Sequence, residues 1–321
     1  MTNVAQAETL DKLRGMLVGL AVGDALGAIY EFYSANNLAH LKTLKMRTIN
    51  RTTGIWTDDT AMALCLADSL IENNGYDSFD VMNKYLDWHL TGYRSYFSCG
   101  EGIGIQTAGS IISYKEGHTI IPANKQRTSN AGNGALMRLA PVVIAAYGKL
   151  KPQDVLKLAR ISARETHYSQ EAEATAEIFA YILYKAVKNP SKEDIVDITD
   201  APFSSAVNSS VLNRINARYS HKELVDLGGY SIDALKIAIW GFLNYDNFKS
   251  GINAVIKLGG DTDTNGAIYG QLAGAYYGYS AIPLNWRNNL YQEQDIVFVA
   301  DSLATMPTCP ILQTRFEEDN Y

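Results

Sequence analysis

The chain predicts an all-α protein, and three observations carry that expectation. Apolar residues recur at helical spacing through most of the sequence, runs of alternating β-branched residues are nearly absent, and two segments carry glycine at every fourth position. The candidate helices run about Glu8 to Ala28, Thr60 to Glu72, Phe79 to Leu90, Gly104 to Tyr114, Gly134 to Tyr147, Pro152 to Arg164, Ser169 to Val187, Ser231 to Leu243, Phe248 to Leu258, Thr264 to Tyr279 and Gln292 to Leu303. Their ends are punctuated: Pro152 opens one with Asp154 in its first turn, and Ser169 opens another with Glu171 and Glu173 close behind. Only Arg47 to Thr53 and Val196 to Thr199 offer strand-like runs, both short.

The glycine series are Gly15, Gly19, Gly23, Gly27 and Gly266, Gly270, Gly274, Gly278. Each interior glycine costs about 1 kcal/mol relative to alanine. Residues four apart share a helix face, so each series is a smooth groove that a neighbouring helix must fill to recover the loss. A membrane dimer motif is the alternative, and polar residues interrupt both runs. The expected geometry is two central helices with acidic segments at their ends.

With 47% hydrophobic and 19% charged residues over 321 positions, the chain can build a substantial core. Eight prolines and no low-complexity tract leave no evident linker, so residues 1–321 read as one domain. The stretch 188–230 is more polar and reads as a surface excursion, and 315–321 as a flexible acidic tail. A net charge of −6 argues against nucleic-acid binding and a basic membrane patch. Three scattered cysteines form neither a disulfide framework nor a zinc motif and suit the cytoplasm. The N-terminus has no secretory pattern, and the apolar run from Met16 to Tyr30 is broken by Asp24, so no membrane insertion is expected.

Two acidic segments carry the chemistry: Trp56-Thr57-Asp58-Asp59-Thr60 and Gly259-Gly260-Asp261-Thr262-Asp263-Thr264-Asn265-Gly266. In an extended segment Asp261 and Asp263 would face one side. Clustered carboxylates must share a proton or a cation. Oxygen donors without Cys or His select Mg²⁺ or Mn²⁺ over Zn²⁺. Helix capping is the competing reading, since both segments precede apolar helical runs. A cap needs one such residue, not four, so the two segments together favour the cation. Asp24 in an apolar helix must be paired or serve something. Glu31, by position alone, reads as a solvated helix exit. Gly102-Ile103-Gly104 before a helix is a weak phosphate cradle. Arg138 is either a core arginine paired with an aspartate or a substrate contact, and His167 sits in a polar break between two helices, where a lone histidine is structural more often than not.

The ordered set Gly15-x-x-x-Gly19-x-Ala21-x-Gly23-Asp24-Ala25-Leu26-Gly27, Glu31, Trp56 to Thr60, Gly132 to Arg138, Thr166-His167 with Glu171-Ala172, and Gly259 to Gly266 resembles the ADP-ribosylglycohydrolase family, nearest its dinitrogenase reductase-activating branch. The resemblance implies an orthogonal multi-helix bundle with two divalent cations, Mg²⁺ or Mn²⁺, in a cleft. It implies metal ligands Thr57, Asp58, Asp59, Asp261, Asp263 and Thr264, with Glu31, Asp59 and Asp261 catalytic. Glu31 then matches a mobile glutamate beside the metals, which reverses the positional reading. Gly102 and Gly104 would line a diphosphate site, the turn Gly132, Asn133, Gly134 to Met137 would meet the distal ribose, and His167 the adenosine side. One departure stands out: the branch has an aspartate where this chain has Gly102. Tyr93, Tyr96 or Phe97 are the candidates for stacking adenine.

The implied activity is hydrolysis of ADP-ribose from a protein side chain, arginine first, by water attack at the anomeric carbon. The implied partners are an ADP-ribosylated protein or an ADP-ribose derivative. A binding protein that sequesters an ADP-ribosyltransferase, or a two-metal phosphoesterase, would use similar residues.

Overall fold

A computed structural model describes residues 3–117, 131–188, 190–202, 206–215 and 221–316. The fold is helical almost throughout. The helix α1 (Asn3–Gly27) is followed by a short α2 (Ala35–Leu38), a two-residue hairpin of β1 (Thr48–Ile49) and β2 (Thr52–Thr53), and α3 (Asp58–Asn73). Next come β3 (Tyr76–Asp77), α4 (Ser78–Thr91), α5 (Ile105–Lys115), α6 (Gly134–Met137), α7 (Ala140–Ala146), α8 (Pro152–Arg164) and α9 (Gln170–Lys188). The rest comprises α10 (Lys192–Val196), α11 (Ala206–Ile215), α12 (Ser231–Asn244), α13 (Phe248–Ile256), α14 (Thr262–Tyr277), α15 (Leu284–Asn289), α16 (Glu293–Thr305) and β4 (Ile311–Gln313), which pairs parallel to β3.

The centre is α1 against α14, and the two glycine series face each other. Gly15 lies on Gly274, Gly19 on Gly270, Gly23 on Gly266, and Gly27 on Thr262 and Asp263, so the helices run antiparallel. A Cβ on Gly19 or Gly270 would overlap the partner's carbonyl oxygen. Backbone approaches backbone here, which only glycine permits. The pair is wrapped by α3, α7 and α16 on the α1 side and by α9, α12 and α13 on the α14 side, so both helices are apolar nearly all round. Antiparallel packing sets the C-terminal end of α1 beside the N-terminal end of α14, and the acidic residues gather there.

Several local expectations change. The run Gly134 to Tyr147 is two helices, because Pro141 has no N–H to continue the first and instead sits in the opening turn of the second. Val196 to Thr199 is no strand: Ser191 caps α10 by accepting from Asp194 N at 3.2 Å, and Asp197 then accepts from Thr199 N, closing a turn. Arg47 to Thr53 does hold the hairpin. Within 188–230 lie α10 and α11, and residues 226–230 run through the site described below. Arg315 and Phe316 are buried, so they belong to no frayed tail; 317–321 lie outside the described residues.

Candidate active site

Asp24, in the last turns of α1, is fully buried and organises the first acidic segment. Its carboxylate accepts from Thr57 N at 2.9 Å, Thr57 Oγ1 at 2.9 Å, Thr60 N at 3.0 Å and Thr60 Oγ1 at 2.6 Å. It therefore caps α3 from another helix. Burial raises its pKa while those four donors hold it down. Thr57, the residue at the N-cap of α3, makes no side-chain cap bond, and neither does Asp261 at the N-cap of α14. The capping explanation of the two acidic segments thus fails at both helices, and their carboxylates are left for other work.

The second segment is shaped by Gly259 and Gly260, with φ of 76° and 73°. A side chain at Gly260 would overlap the Leu227 carbonyl. Asp261 N donates to that same carbonyl at 3.1 Å. Phe32 N donates to Gly260 O at 2.8 Å and Gly260 N to Tyr33 O at 3.1 Å, which ties the Glu31 turn to this loop. Glu31, Asp261 and Asp263 consequently offer oxygens that all lie within 4.8 Å of one another. Asp261 and Asp263 do not face one side through strand alternation; one is the N-cap and the other lies in the first turn of α14. Asp58 and Asp59 likewise occupy the first turn of α3, so both pairs sit where helix dipoles favour negative charge.

The two segments share one electrostatic environment. Burial pushes Asp59 well above the usual carboxylate range, with repulsion from Asp24, Asp263, Asp58 and Asp261 adding to it. Burial does the same to Asp58, helped by Asp24, Asp261 and Glu31, and to Asp263, helped by Asp261 and Glu31. Glu31 is raised by burial, then by Asp261 and Asp24, while Arg47 opposes. Asp59 Oδ2 accepts from Thr57 Oγ1 at 3.0 Å, but its buried Oδ1 has no hydrogen-bond partner among the described residues. An orphaned carboxylate oxygen inside a cluster of acids fits a divalent cation, whose charge would relieve both burial and repulsion.

The glycine turns lie directly beside the acidic residues. Gly102 has φ of 83°, and a Cβ there would lie 2.6 Å from Asp58 Oδ1, so an acid at this position would run onto Asp58. Gly104 is open, at the N-cap of α5. Asn133 Nδ2 donates to Asp261 Oδ2 at 2.8 Å, joining the Gly132 turn to the acidic cluster, and Asn133 N donates to Gly229 O at 3.0 Å. Cβ atoms on Gly132 and Gly134 would lie 2.8 Å and 2.7 Å from the His167 ring, so both glycines make room for it. Met137 is buried in α6, its N–H on Asn133 O at 3.1 Å, and Thr264 is buried in α14 with its N–H on Asp263 Oδ1 at 2.9 Å.

Arg138 is wholly buried and its recorded partners are not carboxylates. It donates to Gly134 O at 2.6 Å, to Ser162 O at 3.2 Å and to Thr166 Oγ1 at 2.6 Å. The expected aspartate partner gives way to carbonyls. Thr166 Oγ1, having accepted from Arg138, is in hydrogen-bond contact with His167 Nδ1 at 2.8 Å. Burial and the Arg138 charge lower the His167 pKa to about 3, so the ring is neutral, with its Nε2 facing Gly132.

Sequence reasoning missed Arg47, which pairs with Glu101 at 2.7 Å and lies over Phe97; Gln271, which donates to Leu136 O and Met137 O; and Leu227 and Gly229. Gln271 alone left a trace, as a polar residue within the apolar α14. Of the aromatic candidates, Tyr93 donates to Asp68 at 2.8 Å, while Tyr96 packs edge-on against Phe97 and Tyr291.

The sequence profile of the ADP-ribosylglycohydrolase family matches residues 5–310. The chain is 32% identical to ADP-ribosylarginine hydrolase Tri1 of Serratia proteamaculans (strain 568), over 94% of this chain and 81% of that protein. It is 28% identical to human ADP-ribosylhydrolase ARH3 (91% of this chain, 93% of that protein) and 29% identical to the ADP-ribosyl-[dinitrogen reductase] glycohydrolase of Rhodospirillum rubrum (87% and 90%). A solved chain titled ADP-ribosylglycohydrolase-related protein complex superposes with a TM-score of 0.73 at 33% identity, over 94% of this chain and all of that one. Among the described residues, no helix is long and apolar enough to cross a membrane.

Proposed function

This chain belongs to the ADP-ribosylglycohydrolase family, and on that premise we propose that it hydrolyses the bond between ADP-ribose and a protein side chain, with arginine as the linkage. The observation that carries the reading is that Glu31, Asp261 and Asp263 bring oxygens within 4.8 Å of one another, with Asp58 and Asp59 close enough to feel their charge and glycine turns alongside. The choice of arginine is supported by two relatives named ADP-ribosylarginine hydrolases, at 32% and 30% identity. The relatives carry hydrolase names, which favours turnover over sequestration of a transferase. Three unpaired cysteines support a cytoplasmic setting.

In this reading Thr57, Asp58, Asp59, Asp261, Asp263 and Thr264 hold two divalent cations, Mg²⁺ or Mn²⁺. Bound there, they supply Lewis-acid polarisation and an activated water. Asp59 and Asp261 stabilise the positive charge that grows on the sugar in an oxocarbenium-like transition state. Glu31, raised by burial and by Asp261, is suited to take and return the proton. Asn133 holds the orientation of Asp261. At the far end, Gly104 leaves the α5 N-terminus open to the diphosphate, with Gly102 flanking it, and backbone N–H groups provide the donors. The Gly132-Asn133-Gly134 turn, with Met137 behind it, receives the distal ribose, and the His167 ring, its Nε2 toward Gly132, meets the adenosine end. Such anchoring converts binding into orientation at the anomeric carbon.

The test is incubation with arginine-linked and serine-linked ADP-ribosyl proteins, with and without chelator, reading the released nucleotide by mass spectrometry. Free ADP-ribose from the arginine-linked substrate, stopped by chelation, is expected. Release of AMP, or no release from either substrate, would contradict the proposal.

A further inference from the structure

The described chain closes with a strap that lies beyond the family match, which stops at residue 310. β4 pairs with β3, and past it Arg315 and Phe316 turn inward, 2% and 6% exposed. Arg315 Nε donates to Glu165 Oε2 at 2.5 Å, and its Nη2 donates to the Glu165 backbone carbonyl at 2.5 Å. Glu165 Oε1 is held by Ser78 Oγ at 2.5 Å and Tyr76 Oη at 3.3 Å. The Phe316 ring lies 5.5 Å from Tyr168, with the Arg164 guanidinium over both rings at 5.5 Å and 5.9 Å.

All of these contacts converge on residues 164–168, the turn between α8 and α9 that carries Thr166 and His167. The next carbonyl along, Thr166 O, accepts from Ser110 Oγ at 2.9 Å and Gln106 Nε2 at 3.3 Å, both on α5. The peptide groups on either side of Thr166 are therefore pinned, one by the strap and one by α5. A buried ion pair adds little net stability over apolar residues of equal volume. What a guanidinium fork adds is direction, since its two N–H groups fix a carboxylate and a carbonyl at once.

We propose that Arg315 is a positioning residue for substrate binding. Through Glu165 it fixes the Thr166–His167 turn, so that the His167 ring keeps its place against Gly132 and Gly134 and the nucleoside end of the substrate is gripped. The proposal rests on the ADP-ribosyl reading above.

Arg315→Lys keeps the charge and loses the fork. The full chain, loaded with metal, is assayed for turnover of an arginine-linked substrate and for binding of free ADP-ribose by calorimetry. KM and the ADP-ribose Kd are expected to rise about tenfold, with kcat within about twofold of wild type and metal affinity unchanged. Because Arg315 acts through His167, the double variant with His167→Ala should bind no more weakly than His167→Ala alone. Phe316→Ala loosens the same seat without stranding a charge, should shift KM in the same direction, and decides the matter if Arg315→Lys does not fold. Unchanged KM in the folded variants, or additive losses in the double variant, would overturn the proposal while leaving the functional reading intact. A wild-type chain that neither binds ADP-ribose nor releases it would overturn both.

Discussion

At the scale of the residue, the acidic cluster is defined by which oxygens are satisfied and which are not. Asp24 receives four donors and so works as a cap, whereas Asp59 keeps one buried oxygen without a partner among the described residues. Glu31→Gln removes the proton-handling group but not the α3 and α14 carboxylates. We expect kcat to fall by roughly 10²–10⁴ with metal binding retained, checked by steady-state kinetics beside metal titration. Without metal, Asp58, Asp59 and Asp263 stand well above their ordinary values, so the folded chain keeps protons that the unfolded chain has lost. Stability then falls as pH rises from the ordinary carboxylate range, about 4, to neutral. His167 acts in the opposite sense: with a pKa near 3, it costs stability as pH drops below its unfolded value of about 6.5. Each group contributes about 1.4 kcal/mol per pH unit only where it is protonated in one state and not the other, and above about 6.5 the histidine drops out, leaving the carboxylates alone. Chelator-treated protein should melt higher at pH 5 than at pH 7.5, and saturating Mg²⁺ or Mn²⁺ should remove that difference. Identical pH profiles with and without metal would show that the cluster binds no cation.

At the scale of the element, the helices were legible wherever a long apolar face had to be buried. Pro152 to Arg164 was read to the residue because an N-terminal proline and an apolar stripe agree. The short elements were not legible: β3 and β4 have two and three residues, too few to alternate, and exist because distant segments meet. The glycine series announced close packing, but not that each was the other's partner. Gly270→Ala separates propensity from packing, because alanine favours the helix by about 1 kcal/mol yet its Cβ would overlap the Gly19 carbonyl. Overpacking of rigid backbone costs roughly 1–3 kcal/mol or more. We expect net destabilisation in denaturant unfolding, together with weaker metal binding as the α14 N-terminus moves off Asp24 and Glu31. A stabilised variant would mean that α1 and α14 pack less closely than described.

At the scale of the whole molecule, the acidic site is assembled from the α1 end, the α3 and α14 starts, the Gly132 turn and the loop 226–230. A cation bound there bridges segments that are remote in the unfolded chain, so its binding energy adds to folding. At metal concentrations one hundred times Kd the gain is about 2.7 kcal/mol, a rise of several degrees in Tm for a chain of this size. Calorimetry with and without chelator measures it. Asp261→Asn should abolish the rise, and a full rise in that variant would move the cation elsewhere.

Local chemistry determined a great deal here. Helical periodicity, glycine at every fourth residue and two hydroxyl-dressed acidic segments are written in neighbouring residues, because propensity and burial act over one or two turns. Tertiary structure alone decided that Asp24 caps a helix it does not belong to, that Arg138 answers to carbonyls rather than an aspartate, and that Arg315 holds the turn before His167. Each of these depends on a side chain meeting groups that packing brings close, such as Thr57 and Thr60 for Asp24, Ser162 and Thr166 for Arg138 and Glu165 for Arg315, and that meeting is set by the assembled helices rather than by adjacent sequence.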